Sequence, residues 1–410
     1  MSTRNLSILL VTSHCPHAPS YGSQLRVLNI AKLLSRVGKV SLVIVPYFPI
    51  DQGSLVRTRE EFDIERVVQL TPVNLRNPVE RIRHELDPSF LNTGGFTVIE
   101  RDREAMLRMI GEYDVVWVHT IRTANSFRIY QWPHTVLDID DLQSRLCLSI
   151  AKVGSGIIRS LLDYRMSFIW RRRERKLKTR FDVISVTSEE DRRYLGGDRR
   201  VQVVPNGFTP PSEVPVRLPT VPPRIGFIGT FKYLPNQAGV KWFIQSVWPR
   251  VKREVPAVHL RLVGEDSDRY FSELDGDIEG LGWVYDPSSE IASWAAMIVP
   301  VQIGAGTRVK IAEAFSRKCP VVSTSLGAFG YEVHSGDDLL LADTAQDFAS
   351  ACVLLLKSTE LGLTISENAW RKFLNSWTWD AIGRSVNRAV EEALVKSYFE
   401  KARGHVLAKE

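Results

Sequence analysis

The chain has 410 residues, 44% of them hydrophobic and 24% charged, with a formal net charge of +6. That length exceeds what one core usually serves, so two domains are expected, each able to bury ample core without staples. No apolar run reaches the length of a membrane span, and four scattered cysteines (Cys15, Cys147, Cys319, Cys352) with no CxxC pair indicate neither zinc nor a disulfide framework.

The chain opens with "LSILLVTSH", an apolar, β-branched stretch that predicts a buried strand. It follows Arg4 but lacks the longer apolar region and cleavage site of a signal peptide. The polar loop "CPHAPSYGSQLR" comes next, then the helical pattern "LRVLNIAKLLSRVG" and a second strand, "VSLVIVPY". This βαβ opening predicts a parallel sheet. Further strands are expected at "YDVVWVHT", "HTVLDIDD", "FDVISVTS" and "VQVVPNG". Their carboxyl ends are where a doubly wound sheet gathers ligands.

Repeated prolines in "PNGFTPPSEVPVRLPTVPP" read as an interdomain linker. A second series then begins with strand "RIGFIGT", helix "NQAGVKWFIQSVWPRVKREV", strands "VHLRLVGE" and "GWVYD", and helix "SSEIASWAA". Strand "MIVPVQ", the loop and helix "GAGTRVKIAEAF", strand "PVVSTS", helix "TAQDFASACVLLLKS" and a long helical tail after "WTWD" complete it.

The loop "GAGTRVKIAEAF" concentrates chemistry. Gly304 and Gly306 allow close backbone approach, Thr307 can cap or donate, and Arg308 and Lys310 bring cations. Glu313, one turn into the helix, can accept bonds from paired hydroxyls such as those of a ribose. An anion held against a helix N-terminus fits this order, and so does a solvated surface turn.

The stretch "MIVPVQIGAGTRVKIAEAFSRKCPVVSTSLGAFG" resembles the donor-binding half of retaining glycosyltransferases of family 4, in the subgroup with a "GGGTRLK" type loop. The resemblance extends over most of the chain, through "FIGTFKYLPNQAGVKWF", "FDVISVTSEEDRRYL", "VVPNGF" and "FLNSWTWDAIG". It implies an α/β, GT-B architecture: two Rossmann-like, doubly wound domains facing across a cleft. Residues 1–210 would form the acceptor domain, joined by a C-terminal helix at about 385–410; 211–222 would be the linker and 223–384 the nucleotide-sugar donor domain. Glu313 matches the second acid of the family's Glu-x7-Glu motif, the ribose ligand, while Ala305 stands where the first acid is expected.

The implied activity is transfer of a sugar from a UDP- or GDP-linked donor to a glycan or lipid-linked acceptor, with retention, in polysaccharide or glycoconjugate synthesis. Arg308 and Lys310 would stabilise the departing diphosphate without a bound metal or other cofactor, the nucleotide diphosphate-sugar serving as co-substrate. Gly229, Thr230, Gly304, Gly306, Thr307, Glu313, Gly327 and Ala328 would bind the donor. Lys232 is the only cation in the loop after Gly229, where relatives carry an Arg and a Lys.

In the first half, Gly22 and Arg26 belong to the loop that faces acceptor and donor phosphates in the family. Arg26 can equally be helix surface, and His14 and His119 can contact sugar hydroxyls or be satisfied by backbone. Asp138, Asp140 and Asp141 end a strand in a D-x-D pattern that can hold a divalent ion. The same stretch resembles the family's "LDxHNxES" segment, with Asp140 in place of its histidine. An acceptor-orienting carboxylate is expected there rather than a metal ligand, while Asp141 can cap the next helix.

The run "RRRERKLKTR" (171–180) holds seven cations. It reads either as a solvated helix face, with Glu174 and Lys178 paired, or as a patch for anionic lipid. Without interleaved aromatics it offers nucleic acid no platform. A cytoplasmic enzyme is expected, either soluble or peripheral at the inner face of the plasma membrane. A GT-B epimerase or hydrolase, and an inert sugar-nucleotide-binding protein, are the alternatives, the latter favoured by Ala305 and Asp140.

Overall fold

The computed structural model describes residues 6–17, 22–73, 77–89, 95–153, 156–270 and 276–407, with side-chain surroundings through 395, residue 153 apart. Arg4, residues 18–21 of the loop before Gly22, and 408–410 of the expected tail lie outside the described residues. The chain divides into two compact units. One comprises 1–147, 162–205 and 382–410; the other comprises 148–161 and 206–381.

The first unit is built on seven parallel strands: β1 (Leu6–Thr12), β2 (Gly38–Ile44), β3 (Asp63–Val67), β6 (Val115–His119), β7 (Trp132–Ile139), β8 (Phe181–Val186) and β9 (Val201–Val203). β4 (Leu70–Pro72) and β5 (Phe96–Val98) form a separate antiparallel pair. The sheet order is β3-β2-β1-β6-β7-β8-β9, so the winding reverses between β1 and β6. Helices cover both faces of such a sheet, which is why Ile8, Leu9, Leu10 and Val11 are all sealed without alternation. The helix Gly22–Ser35 packs through Val27, Ile30, Ala31 and Leu34, the spacing of one helical face.

The second unit repeats the plan with β10 (Arg224–Ile228), β11 (His259–Val263), β12 (Ile278–Gly280), β13 (Ala296–Val299), β14 (Val321–Ser323) and β15 (Leu340–Leu341). Their order, β12-β11-β10-β13-β14-β15, reverses between β10 and β13. Ile225, Phe227, Val240, Phe243, Leu260 and Ile298 fill its core. Each unit is thus a doubly wound, Rossmann-like α/β layer, as the sequence implied. The proline-rich stretch is extended but not loose: Arg217 donates to the carbonyls of Ile291 and Trp294, and Leu218 N–H to Ala292.

Three expectations change. "GWVYD" is not a strand: β12 lies earlier, and Trp283 and Tyr285 stand exposed. Their aromatic, β-branched composition mimics a strand without the burial that would make one. The helix expected over 236–255 runs from Leu234 to Glu254 with a widened turn at Phe243–Val247, just ahead of Pro249, which has no N–H to give. The run 171–180 is not one solvated helix face. The helix Ile157–Glu174 ends inside it, Arg173, Glu174 and Arg180 are buried, and Lys178 pairs with Asp198 at 2.7 Å rather than with Glu174. Glu174 instead accepts from the backbone N–H and hydroxyl of Ser144.

Candidate active site

In open α/β sheets, ligands bind beyond the carboxyl ends of the strands where the winding reverses. In the second unit those are the ends of β10 and β13. The loop after β13 carries Gly304 to Arg308 into the helix Val309–Ser316. Gly304 adopts φ 147°, and a Cβ there would lie 1.9 Å from Nη2 of Arg308, so the guanidinium lies directly over the glycine. Gly306, at φ 70°, makes the next turn. Gly304 N–H donates to Ser149 Oγ at 2.9 Å, and Asn206 Nδ2 to Thr307 Oγ1 at 2.9 Å.

Arg308 is the N-cap residue of that helix, and its side chain caps nothing. It is 8% exposed. Nη1 donates to the carbonyls of Ala305 and Gly306, while Nε and Nη2 are buried without a protein acceptor. A buried charged donor left unmatched is costly, which makes this pair of N–H groups a ready position for an anion. Tyr331 Oη donates to the Arg308 carbonyl at 3.0 Å and stacks edge-on against Trp377, fixing the backbone from behind. Trp377 and Trp379 are both buried packing residues.

Lys310 Nζ donates to Asn236 Oδ1 at 2.7 Å and sits 4.1 Å from the centre of the Phe227 ring. Burial, then the charge of Arg308, pull its pKa down to about 7 against the opposing pull of Glu313. Asn236 in turn donates to the Thr230 carbonyl at 2.8 Å, and a Cβ on Gly229 would approach its amide to 2.7 Å. Gly229, Thr230, Asn236 and Lys310 therefore form one contact group at the end of β10. Lys232 points elsewhere, paired with Glu265.

Glu313 is raised by burial, with Arg317 and Lys310 opposing, and Arg317 lies 3.4 Å from its Oε1. Ala305, in the position of the family's first acid, offers only its carbonyl, to Arg308. Gly327 and Ala328 are buried in the turn after β14. A Cβ on Gly327 would lie 2.4 Å from Ser323 Oγ and 2.6 Å from the Val299 carbonyl, so packing alone accounts for that glycine.

In the first unit the reversal lies between β1 and β6. Their ends carry His14 and His119, whose rings meet edge-on at 5.8 Å. Gly22 is exposed at the start of its helix. Arg26, one turn on, is neither helix surface nor open to an external anion: it is fully buried. Nε and Nη2 donate to Asp138 at 3.0 and 2.6 Å, and Nη1 and Nη2 to the carbonyls of Pro205 and Val204. Its Nε also lies 2.9 Å from Asp140 Oδ1, and His119 Nε2 lies 3.4 Å from Asp140 Oδ2. A guanidinium at the apex of a doubly wound sheet is held by the sheet's own acids.

Charge follows from that arrangement. Burial disfavours ionisation of Asp138, but Arg26 outweighs it and keeps the carboxyl below its usual range. Asp140 is raised to about 7 by burial, with Asp138 repelling and Arg26 opposing; a fifth of its side chain still reaches solvent. Burial and Arg26 lower His119 to about 4 despite Asp138, and burial and His119 lower His14 to about 4, so both rings are neutral near pH 7. His119, Asp138 and Asp140 offer ligand atoms within 4.8 Å of one another. The Arg26 guanidinium already stands against both carboxylates, so a divalent ion would have to displace it.

Two parallel, doubly wound sheets with these switch points define the GT-B class. Residues 222–358 match the model of the family described as glycosyl transferases group 1. A curated relative, an uncharacterized 44.6 kDa protein in the cps region of Klebsiella pneumoniae, is 22% identical over 388 residues, 88% of this chain and 94% of its own. Among solved structures, Anabaena HepE in complex with UDP and glucose superposes with a TM-score of 0.61 at 15% identity, covering 94% of this chain and 99% of that one. Sucrose-phosphate synthase from Thermosynechococcus elongatus gives 0.63 at 14% identity, covering 99% and 100%.

Asn236, Tyr331 and Phe227 belong to the group around Arg308 and Lys310, although motif reading did not select them as site residues; Asp138, named there only through the D-x-D pattern, belongs to the Arg26 cluster. The only sequence signal for Asn236 is its place in "LPNQAG", after the strand-ending glycine and at a helix start.

Proposed function

We propose that the protein is a glycosyltransferase that takes a sugar from a nucleoside diphosphate donor, UDP- or GDP-linked, and delivers it with retention to a glycan or lipid-linked acceptor. The observation that carries this reading is the buried, unmatched Nε and Nη2 of Arg308 over Gly304, beside Lys310 at a helix N-terminus. In such a reaction the bond from the anomeric carbon to the diphosphate breaks, a bond to the acceptor oxygen forms, and the hydroxyl's proton passes to an oxygen of the departing diphosphate. Negative charge grows on the departing diphosphate. A preorganised guanidinium, ammonium and helix N–H groups stabilise it with little reorganisation.

Gly229, Thr230, Gly304, Gly306 and Thr307 would supply close backbone approach and hydroxyls to the donor. Glu313 would accept from the ribose, and Ala328 with Gly327 would shape the pocket wall. Asp140, on the other unit, is assigned to the acceptor hydroxyl, with neutral His14 and His119 as hydrogen-bonding neighbours of the sugar. Gly22 leaves backbone room, and Arg26 holds Asp140 in place. No metal or other cofactor has a part in this reading, because Arg26 supplies the cation that a D-x-D pair would otherwise recruit.

The cps-region relative supports polysaccharide assembly as the setting, and HepE, whose structure holds UDP and glucose, supports a UDP-linked donor. The proposed place is the cytoplasmic face of a membrane. Calorimetry with UDP, GDP and ADP, then mass spectrometry of products from a donor panel, tests it. Saturable binding of one diphosphate, weakened in Arg308→Ala, is expected; no binding by any of the three overturns the assignment.

A further inference from the structure

The helix Ile157–Glu174 carries a surface that the proposed reaction does not use. Ile157, Leu161, Tyr164 and Phe168 recur at intervals of four, three and four residues, one stripe of a helix. All four are exposed, Ile157 at 82% and Phe168 at 68%, and Ile158 and Leu162 beside them are exposed as well. Soluble proteins rarely leave so many large apolar side chains contiguous and uncovered.

The helix is anchored at its other end. Trp170 and Ile169 are buried, Ser167 Oγ donates to the Ser144 carbonyl at 2.8 Å, and Arg173 Nη2 donates to the His84 carbonyl at 2.9 Å. The C-terminal part of the helix is thus fixed by its own contacts. Arg165 pairs with Glu85 of the neighbouring helix Pro78–Leu86, which itself exposes Val79, Ile82 and Leu86.

Charge distinguishes the occupant. The stripe runs on into exposed Arg171 and Arg172, followed by exposed Arg175 and Lys176 past the helix end. Acids do not balance them: Asp163 is half-buried and Glu174 buried. A band of Ile, Leu, Tyr and Phe edged with arginines matches the boundary between acyl chains and anionic headgroups. No single helix among the described residues is long and apolar enough to cross a membrane, so this contact would lie along the surface.

We propose that the helix Ile157–Glu174 is an interfacial anchor that beds its apolar stripe into an anionic lipid surface. The contact deepens the membrane part of the proposed function but does not depend on sugar transfer, since it is read without donor or acceptor.

The test is flotation of the full chain with phosphatidylcholine vesicles, plain or containing about one-third phosphatidylglycerol. Binding to the anionic vesicles, weakened by salt, is expected. Ile157→Ser, Leu161→Ser and Phe168→Ser together should lower it by about tenfold or more. These positions are exposed, so the thermal melt and nucleotide binding should be unchanged. Arg171→Gln with Arg172→Gln should remove the preference for anionic over neutral vesicles. No binding by the wild-type chain, or equal binding by the serine variant, overturns the proposal. So does a wild-type dimer in sedimentation that ignores vesicles and becomes monomeric in the serine variant, which would make the stripe a contact between copies.

Discussion

Arg26 Nη2 and Asp138 Oδ1 are 2.6 Å apart, with both side chains sealed from solvent. Such a pair stabilises little compared with an apolar equivalent, but losing one partner strands the other charge. Arg26→Met is therefore expected to destabilise the protein by about 3–5 kcal/mol in urea unfolding. Adding Asp138→Leu should recover part of that loss. If Arg26→Met unfolds at the wild-type midpoint, the guanidinium is not the element that neutralises this cluster.

Lys310 gives a pH dependence with a definite sign. Its pKa is about 7 in the free protein, and a bound diphosphate would raise it by favouring the ammonium form. Affinity should be full below about pH 7 and fall by up to about tenfold per pH unit above it, until the pKa of the complex is reached. Calorimetry with the nucleotide between about pH 7 and 9 measures this. Lys310→Arg should remove the pH dependence while keeping a cation there. A flat wild-type profile would take Lys310 out of phosphate binding.

Arg308→Ala separates chemistry from folding. The side chain's unmatched donors contribute little to the fold, but in the proposed reaction they would meet the charge on the departing diphosphate. Turnover should drop by about 100-fold or more, with a small change in melting temperature. The same variant should raise the pKa of Lys310, because Arg308 is one of the two causes that depress it. The alkaline fall in affinity should then move to higher pH. Loss of activity in step with loss of folded protein would mean that Arg308 is structural.

Strands with continuous β-branched runs were legible in the sequence because both of their faces are covered: β1, β6 and β8 fall within the expected stretches, and β2 begins two residues ahead of its own. The helices between 52 and 112 were not, since they lie on the surface with short or interrupted apolar faces. At the site, the loop Gly304–Lys310 announced itself through glycines and cations close in sequence. Its support did not: Asn236 meets Lys310 from 74 positions away, and Tyr331 meets Arg308 from 23. Arg26 shows the same limit. An arginine near a helix start reads as surface until the acid 112 positions later is brought against it.

Gly304 provides the narrowest test of the proposed donor site. Its backbone lies at φ 147°, and its missing Cβ leaves the space that the Arg308 guanidinium fills. Gly304→Ala would put a methyl group 1.9 Å from Nη2, so either the arginine or the loop must move. Since the loop lies at the end of β13 rather than inside the sheet, the arginine is expected to yield. Nucleotide affinity should then fall toward that of Arg308→Ala, while the free energy of unfolding drops by about 1–3 kcal/mol for the strained backbone. Combining the two substitutions should cost little more affinity than Arg308→Ala alone, because both act through one side chain. Additive losses in that double variant would show that Gly304 serves the ligand directly, through backbone approach, and not by seating Arg308.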